Sequence, residues 1–140
     1  MKNLLFTTAL LLAAGFTFGQ AIQKGNMIGI HIMTVELKPN VTLDEVINYY
    51  NTKYFPAADK HFGFKGFIGK GIRGASSVDN KLILIWHFKT EADRDKFFKA
   101  DSSLSELGEK AFQQPEMQAL DQELTKLATI KSDWSDWVIK

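Results

Sequence analysis

The chain has no cysteine among its 140 residues. That excludes a disulfide scaffold, a zinc site of the cysteine type and a thiol nucleophile. It also lacks an excess of charge of either sign: 17 Lys+Arg stand against 16 Asp+Glu, whereas a nucleic-acid partner calls for a clustered basic surface. Beyond residue 20 no apolar run is long enough to cross a bilayer. What the sequence does have is apolar content, 45% of its residues, which excludes a disordered tail or a collagen-like fibre. The length suits one compact domain.

Residues 1–19 read as a secretory signal peptide. Lys2 supplies the positive start, and Leu4 to Phe18 form an apolar stretch interrupted by Thr7, Thr8, Gly15 and Thr17. Thr17 and Gly19 are the small residues that precede cleavage before Gln20. A cut after Ala21, using Gly19 and Ala21, is the alternative. The protein is therefore expected to be exported, periplasmic or secreted, as a single domain over residues 20–140 with no membrane span after signal cleavage. Losing this leader removes Lys2 and no acid, which leaves 16 basic and 16 acidic residues.

Met27 to Leu37 (MIGIHIMTVEL) is apolar, rich in β-branched residues and short, the pattern of a buried strand. Ile28, Ile30 and Ile32 take one face; His31, Met33, Val35 and Leu37 take the other. Lys38-Pro39-Asn40 ends it, because proline cannot donate to a ladder. Thr42 and Glu45 form a capping box for a helix whose apolar stripe is Leu43, Val46, Ile47, Tyr50 and Tyr54. Pro56 marks a break or restart near its end. Phe64 to Arg73 is an extended, glycine-interrupted segment, Ser76 to Asn80 a turn, and Lys81 to Phe88 (KLILIWHF) the strongest strand of the chain. Thr90 and Asp93 open a second helix carrying Phe97 and Phe98, interrupted at Ser102 to Ser105. Leu104, Leu107 and Phe112 form an apolar set, and Pro115 opens a further helix bearing Met117, Leu120, Leu124 and Leu127. Trp134 to Ile139 make the last strand.

This is the βαββαβ order of a ferredoxin-like α+β fold: one antiparallel sheet with helices on one face, and an extra helix before the last strand. Helices on one side leave the other face of the sheet wet. Yet the strand at 27–37 carries apolar side chains on both faces, and so does the strand at 81–88. A second copy packing sheet against sheet resolves the conflict, so a homodimer is expected.

Gly69-Lys70-Gly71-Ile72-Arg73-Gly74 satisfies G-x-G-x-x-G. It joins strand to strand, however, and offers no helix N-terminus for a pyrophosphate, so it reads as a bend or bulge. Asn40-Val41-Thr42 matches a glycosylation sequon, but Thr42 is already explained as a helix cap. The three histidines are the groups with a natural proton-transfer role near neutral pH. His61 falls at a helix end. His31 and His87 each interrupt an apolar strand, as catalytic acid or base candidates or as hydrogen-bonded core histidines. No set of ligands at metal-binding spacing accompanies them, so neither metal nor cofactor is expected. Trp86, Trp134 and Trp137 supply either the wall of an apolar pocket or core area. Trp86, Tyr50 and Met33 are the candidate ligand contacts. If the strands at 27–37 and 81–88 lie antiparallel with Ile32 and Ile85 at their midpoints, paired residue numbers sum to about 117. His31 and His87 are then expected to face each other or lie one diagonal apart.

The run Gly29-Ile30-His31-Ile32-Met33-Thr34-Val35-Glu36-Leu37-Lys38-Pro39, followed by a capped helix, resembles the dimeric α/β-barrel superfamily, and within it the stress-responsive barrel proteins. The resemblance covers the element order of most of residues 20–140 and implies a homodimeric barrel. The superfamily includes cofactor-free monooxygenases, haem-handling enzymes, a plant polyketide cyclase and many proteins with no assigned activity. In that cyclase a histidine matched here by His31 is catalytic. Its second catalytic histidine lies in a stretch that reads Lys99-Ala100-Asp101-Ser102-Ser103 here, without histidine. Two functions are implied: a small exported barrel that binds an apolar ligand as a homodimer, or a cofactor-free, monooxygenase-like or cyclase-like enzyme using His31 as general acid or base.

Overall fold

The computed structural model describes residues 22–74 and 78–140. The signal peptide and Ser76-Ser77 of the expected turn fall outside the described residues. Four strands, β1 (Met27–Leu37), β2 (Lys65–Lys70), β3 (Lys81–Phe88) and β4 (Ala128–Val138), form one antiparallel sheet in the order β2-β3-β1-β4. This is the ferredoxin-like arrangement. One face of the sheet is covered by α1 (Leu43–Tyr49), a π-helical turn (Tyr50–Tyr54), α2 (Phe55–Phe62), α3 (Glu91–Asp95), α4 (Glu106–Phe112) and α5 (Pro115–Leu127).

The helix starts obey their sequence signals. The Thr42 hydroxyl accepts from the Glu45 N–H, and Glu45 Oε2 accepts from the Thr42 N–H at 2.7 Å. The hydroxyls of Thr90 and Ser105 accept from the N–H groups of Asp93 and Gly108 at the starts of α3 and α4, and Pro115 stands in the first turn of α5. The break or restart expected near Pro56 takes the form of a restart, since α2 begins at Phe55 with Pro56 in its first turn. Before it the helix widens, and the Phe55 N–H reaches back to the Tyr50 carbonyl, five residues away. A π turn relieves the missing N–H and the ring clash that proline would impose on a regular helix.

Two elements differ from the sequence reading. α3 is short, and Phe97 and Phe98 lie beyond its end, with Phe98 bridged to Leu104. β4 starts at Ala128 directly after α5, because β1 pairs with it along its whole length, from Leu37 against Ala128 to Met27 against Val138. The polar stretch from Thr129 to Asp133 conceals a strand that only its partner reveals.

The core sits between the sheet and the helices. Met33, Val35, Leu82 and Leu84 pack with Val46, Tyr49 and Phe55 at one end, and Met27, Phe88 and Phe64 with Ala58, Phe62 and Met117 at the other. β2 meets this layer closely at Gly66, where a Cβ would stand 2.0 Å from a ring carbon of Phe55. Phe55 is itself buried against Tyr50 and Tyr54. Gly66→Ala is therefore expected to destabilise the fold by about 1–3 kcal/mol, as overpacking does, read as a lower urea midpoint at unchanged slope.

The second face of the sheet carries Ile28, Ile30, Ile32, Ile83, Ile85, Phe67 and Trp137, which the register places on one side. Within a single chain Ile32 is 53% exposed, Phe67 45% and Trp137 57%. No helix among the described residues is long and apolar enough to cross a membrane.

Candidate functional site

The two strand histidines do not meet. His87 lies opposite Ile28, and His31 lies opposite Leu84. The partner of His31 is thus three residues from His87, and an odd offset along a strand puts a side chain on the other face. The expected His31–His87 pair is corrected by this register. His87 belongs to the helix-free face, is 4% exposed, and donates from Nε2 to Asn26 Oδ1 at 2.9 Å. Asn26 in turn donates to the Lys89 carbonyl. His61, at the end of α2 as expected, donates to Glu116 at 2.8 Å.

His31 faces the helices and a cavity of about 100 Å³. The sheet supplies one wall through His31, Trp86 and Phe88, with Trp134 and Asp136 from β4; α3 and the loop after it supply the other through Arg94, Phe98 and Ser102. The arrangement depends on Gly29, which pairs with Trp86 on one side and Asp136 on the other. A Cβ there would stand 3.1 Å from Asp136 Oδ1, so the missing side chain leaves the floor of the cavity open. The His31 and Trp86 rings lie 4.7 Å apart, and Trp86 stacks on Phe64 at 4.6 Å. A larger trough of about 580 Å³ shares Arg94, Trp134 and Asp136 with this cavity and is lined further out by Glu91, Asp95 and Lys99.

Arg94 is buried, which a charged residue tolerates only when its donors are met. Its Nη1 donates to the carbonyls of Phe98 at 3.1 Å and Lys99 at 2.7 Å. Its Nη2 donates to Ser102 Oγ and to Asp136 Oδ2, each at 2.6 Å. Asp95 lies at the edge, 3.4 Å from Nη1. One guanidinium therefore ties the loop of residues 98–102 to β4. Of the stretch Lys99–Ser103, Ser102 lines the cavity.

Among the described residues the cavity wall leaves polar groups without protein partners. Neither ring nitrogen of His31 has one, Asp136 Oδ1 has none, and the Trp86 indole N–H is buried with none. Burial holds the His31 pKa below the ordinary 6.5, and the nearby Asp136 carboxylate only partly offsets it. Burial lowers His87 as well. Both imidazoles are thus neutral at pH 7. Groups whose pKa is depressed on folding stabilise the fold fully above their unfolded value and lose that contribution as pH falls through the folded one. Stability is accordingly expected to drop as pH falls below 6.5. The carboxylates with lowered pKa values, such as Glu36 and Asp93, act only below their ordinary 4.5 and 3.8. A urea midpoint that falls across this window in the wild type, and falls less in His31→Gln/His87→Gln, checks it.

Of the residues singled out as ligand contacts, Trp86 lines the cavity. Tyr50 and Met33 do not: both are buried in the core, where the Tyr50 hydroxyl points at the Met33 sulfur at 3.9 Å. Trp134 stands at the cavity and Trp137 on the opposite face, and the reason is legible. Ser132-Asp133-Trp134 recurs as Ser135-Asp136-Trp137, and a three-residue step on a two-residue strand period sends one Trp and one Asp to each face. That repeat is the signal that would have found Asp136. Arg94 lies in a charged run, Glu91 to Lys96, that reads as a solvated helix face.

No protein-family model matches the chain, and no curated protein matches it by sequence. Solved structures do. A NIPSNAP-like domain protein from Burkholderia xenovorans superposes with a TM-score of 0.52 at 12% identity, covering 84% of this chain and 88% of that one. A NIPSNAP family protein from Agrobacterium tumefaciens gives 0.52 at 12% identity, over 85% and 90%. SnoaB, a cofactor-independent oxygenase from Streptomyces nogalater, is a looser likeness at 0.41 and 13% identity, over 83% and 94%. What the two NIPSNAP structures share with this chain is the fold, an antiparallel sheet with helices in the ferredoxin-like arrangement.

Proposed function

We propose that the protein is an exported homodimeric barrel that binds a small, largely apolar ring compound in the cavity beside His31. The observation that carries this reading is the unpartnered wall. Folded proteins satisfy nearly all their buried polar groups, yet the buried Trp86 indole N–H is left over. The half-buried His31 imidazole and Asp136 carboxylate, with atoms free of protein partners, line the same aromatic cavity, as the convergent polar groups of a ligand site do. Three indole N–H signals in a two-dimensional NMR spectrum give the test. Adding p-cresol is expected to shift those of Trp86 and Trp134 in a saturable way and to leave that of Trp137, on the other face, unmoved. Equal movement of all three, or of none, would overturn the reading.

The homodimer rests on the apolar helix-free face, and export on the leader of residues 1–19. An intact mass showing Met1 retained in the mature protein would refute export. A second reading is favoured by one feature: His31 is neutral, cavity-facing and free of any protein hydrogen bond, the condition of a general base. Turnover of a bound ring compound that rises with pH and vanishes in His31→Ala would select it. Binding that persists in that variant with no turnover in either form would select the binding protein.

A further inference from the structure

An arginine beside a cavity invites the expectation of an anionic ligand. The geometry of Arg94 argues otherwise. Its two terminal nitrogens already hold four acceptors within 3.1 Å, two backbone carbonyls, Ser102 Oγ and Asp136 Oδ2. The guanidinium is engaged as a clasp, and its charge is matched by Asp136 at 2.6 Å. His31 adds no charge, since burial keeps it neutral. The remaining walls are the rings of Trp86, Phe88, Phe98 and Trp134, whose faces are electron-rich and repel anions. The carboxylates of Glu91 and Asp95 line the trough outside, against the single amine of Lys99.

A carboxylate or phosphate entering this cavity would pass two acids, lose its water, and find all four N–H groups of Nη1 and Nη2 already taken. An ammonium would find Asp136 Oδ1 but would leave two cations sharing one carboxylate in a small, poorly solvated space. A neutral O–H or ring N–H gives Asp136 Oδ1 or a His31 nitrogen the hydrogen bond it lacks, without surplus charge. Resting on the binding reading above, we propose that the cavity selects an electrically neutral planar ring bearing one hydroxyl or N–H group, and that Arg94 holds the cavity closed rather than recognising the ligand.

Three probes of one shape decide it at pH 7.5: p-cresol (neutral), 4-methylbenzoate (anionic) and 4-methylbenzylamine (cationic), titrated against the wild-type protein and read at the indole N–H signals of Trp86 and Trp134. The neutral probe is expected to bind at least tenfold tighter than either charged one. A charged probe that binds as tightly as p-cresol, or tighter, overturns the selectivity and leaves the binding site standing. Absence of binding by all three overturns the binding reading and this inference with it. In Asp136→Asn the Arg94 charge loses its match, so the preference of p-cresol over 4-methylbenzoate is expected to shrink at least threefold. An unchanged preference there would refute the role given to the ion pair.

Discussion

Ile32→Asp is expected to convert a particle of twice the chain mass into one of a single chain mass, measured by light scattering at micromolar concentration. Ile32 sits near the middle of the helix-free face of the sheet and is 53% exposed within one chain, so the substitution removes little from the folded monomer. In a sheet-to-sheet dimer the same side chain is buried twice. Each burial contributes about 1.5–3 kcal/mol, and each introduced carboxylate, set between Ile83 on β3 and the like-charged Asp133 on β4, costs several kcal/mol more. Together these raise the dissociation constant by well over a thousandfold. Ile72→Asp is the control, because Ile72 is 79% exposed and lies beyond the end of β2. Its particle mass is expected to match the wild type. A wild type that already runs as a monomer, or an Ile32→Asp variant that stays dimeric, would show that the sheet face is not the interface.

That face was legible from the sequence, and the cavity was not. Alternation in β1 separates Ile28, Ile30 and Ile32 from Met33, Val35 and Leu37 by parity alone, and the neighbouring strand shares the pattern. The capping box at Thr42 and the helix start at Pro115 are local signals, read without knowledge of the rest of the chain. The His31–His87 pair failed because it depends on register, and a shift of an odd number of residues reverses the faces while leaving every propensity unchanged. Arg94 and Asp136 were missed for a related reason. They are 42 positions apart, and each looks solvent-exposed in its own neighbourhood. Only the closure of β4 onto β1 brings the carboxylate under α3. Trp86 was found because a bulky ring inside an apolar strand is unusual in one dimension already.

Arg94→Met is expected to cost about 3–5 kcal/mol of stability, the typical penalty for removing one member of a buried ion pair. The Arg94 side chain is 6% exposed and that of Asp136 21%, so a lone Asp136 carboxylate would keep limited contact with water. The carbonyls of Phe98 and Lys99 and the hydroxyl of Ser102 lose their donor in the same step. Methionine matches much of the aliphatic stem and so isolates the loss of the guanidinium from a loss of packing. Arg94→Lys should recover only part of the loss, since one ammonium has three donors and cannot span both the loop carbonyls and β4 as the planar fork does. Asp136→Asn is expected to be milder than Arg94→Met, because the amide oxygen still accepts from Nη2 and the other acceptors of Arg94 remain in place. The contact between the guanidinium and Asp95 adds little to this difference, as Asp95 is 57% exposed. Urea unfolding of the three variants gives the order, and hydrogen exchange at the amides of residues 98–102 tells where the loss falls: faster exchange confined to that loop in Arg94→Met means that the clasp has opened, ahead of any global unfolding. A stability within about 1 kcal/mol of wild type, the scale of an ordinary surface ion pair, together with unchanged exchange in the loop, would mean that Arg94 does not hold it.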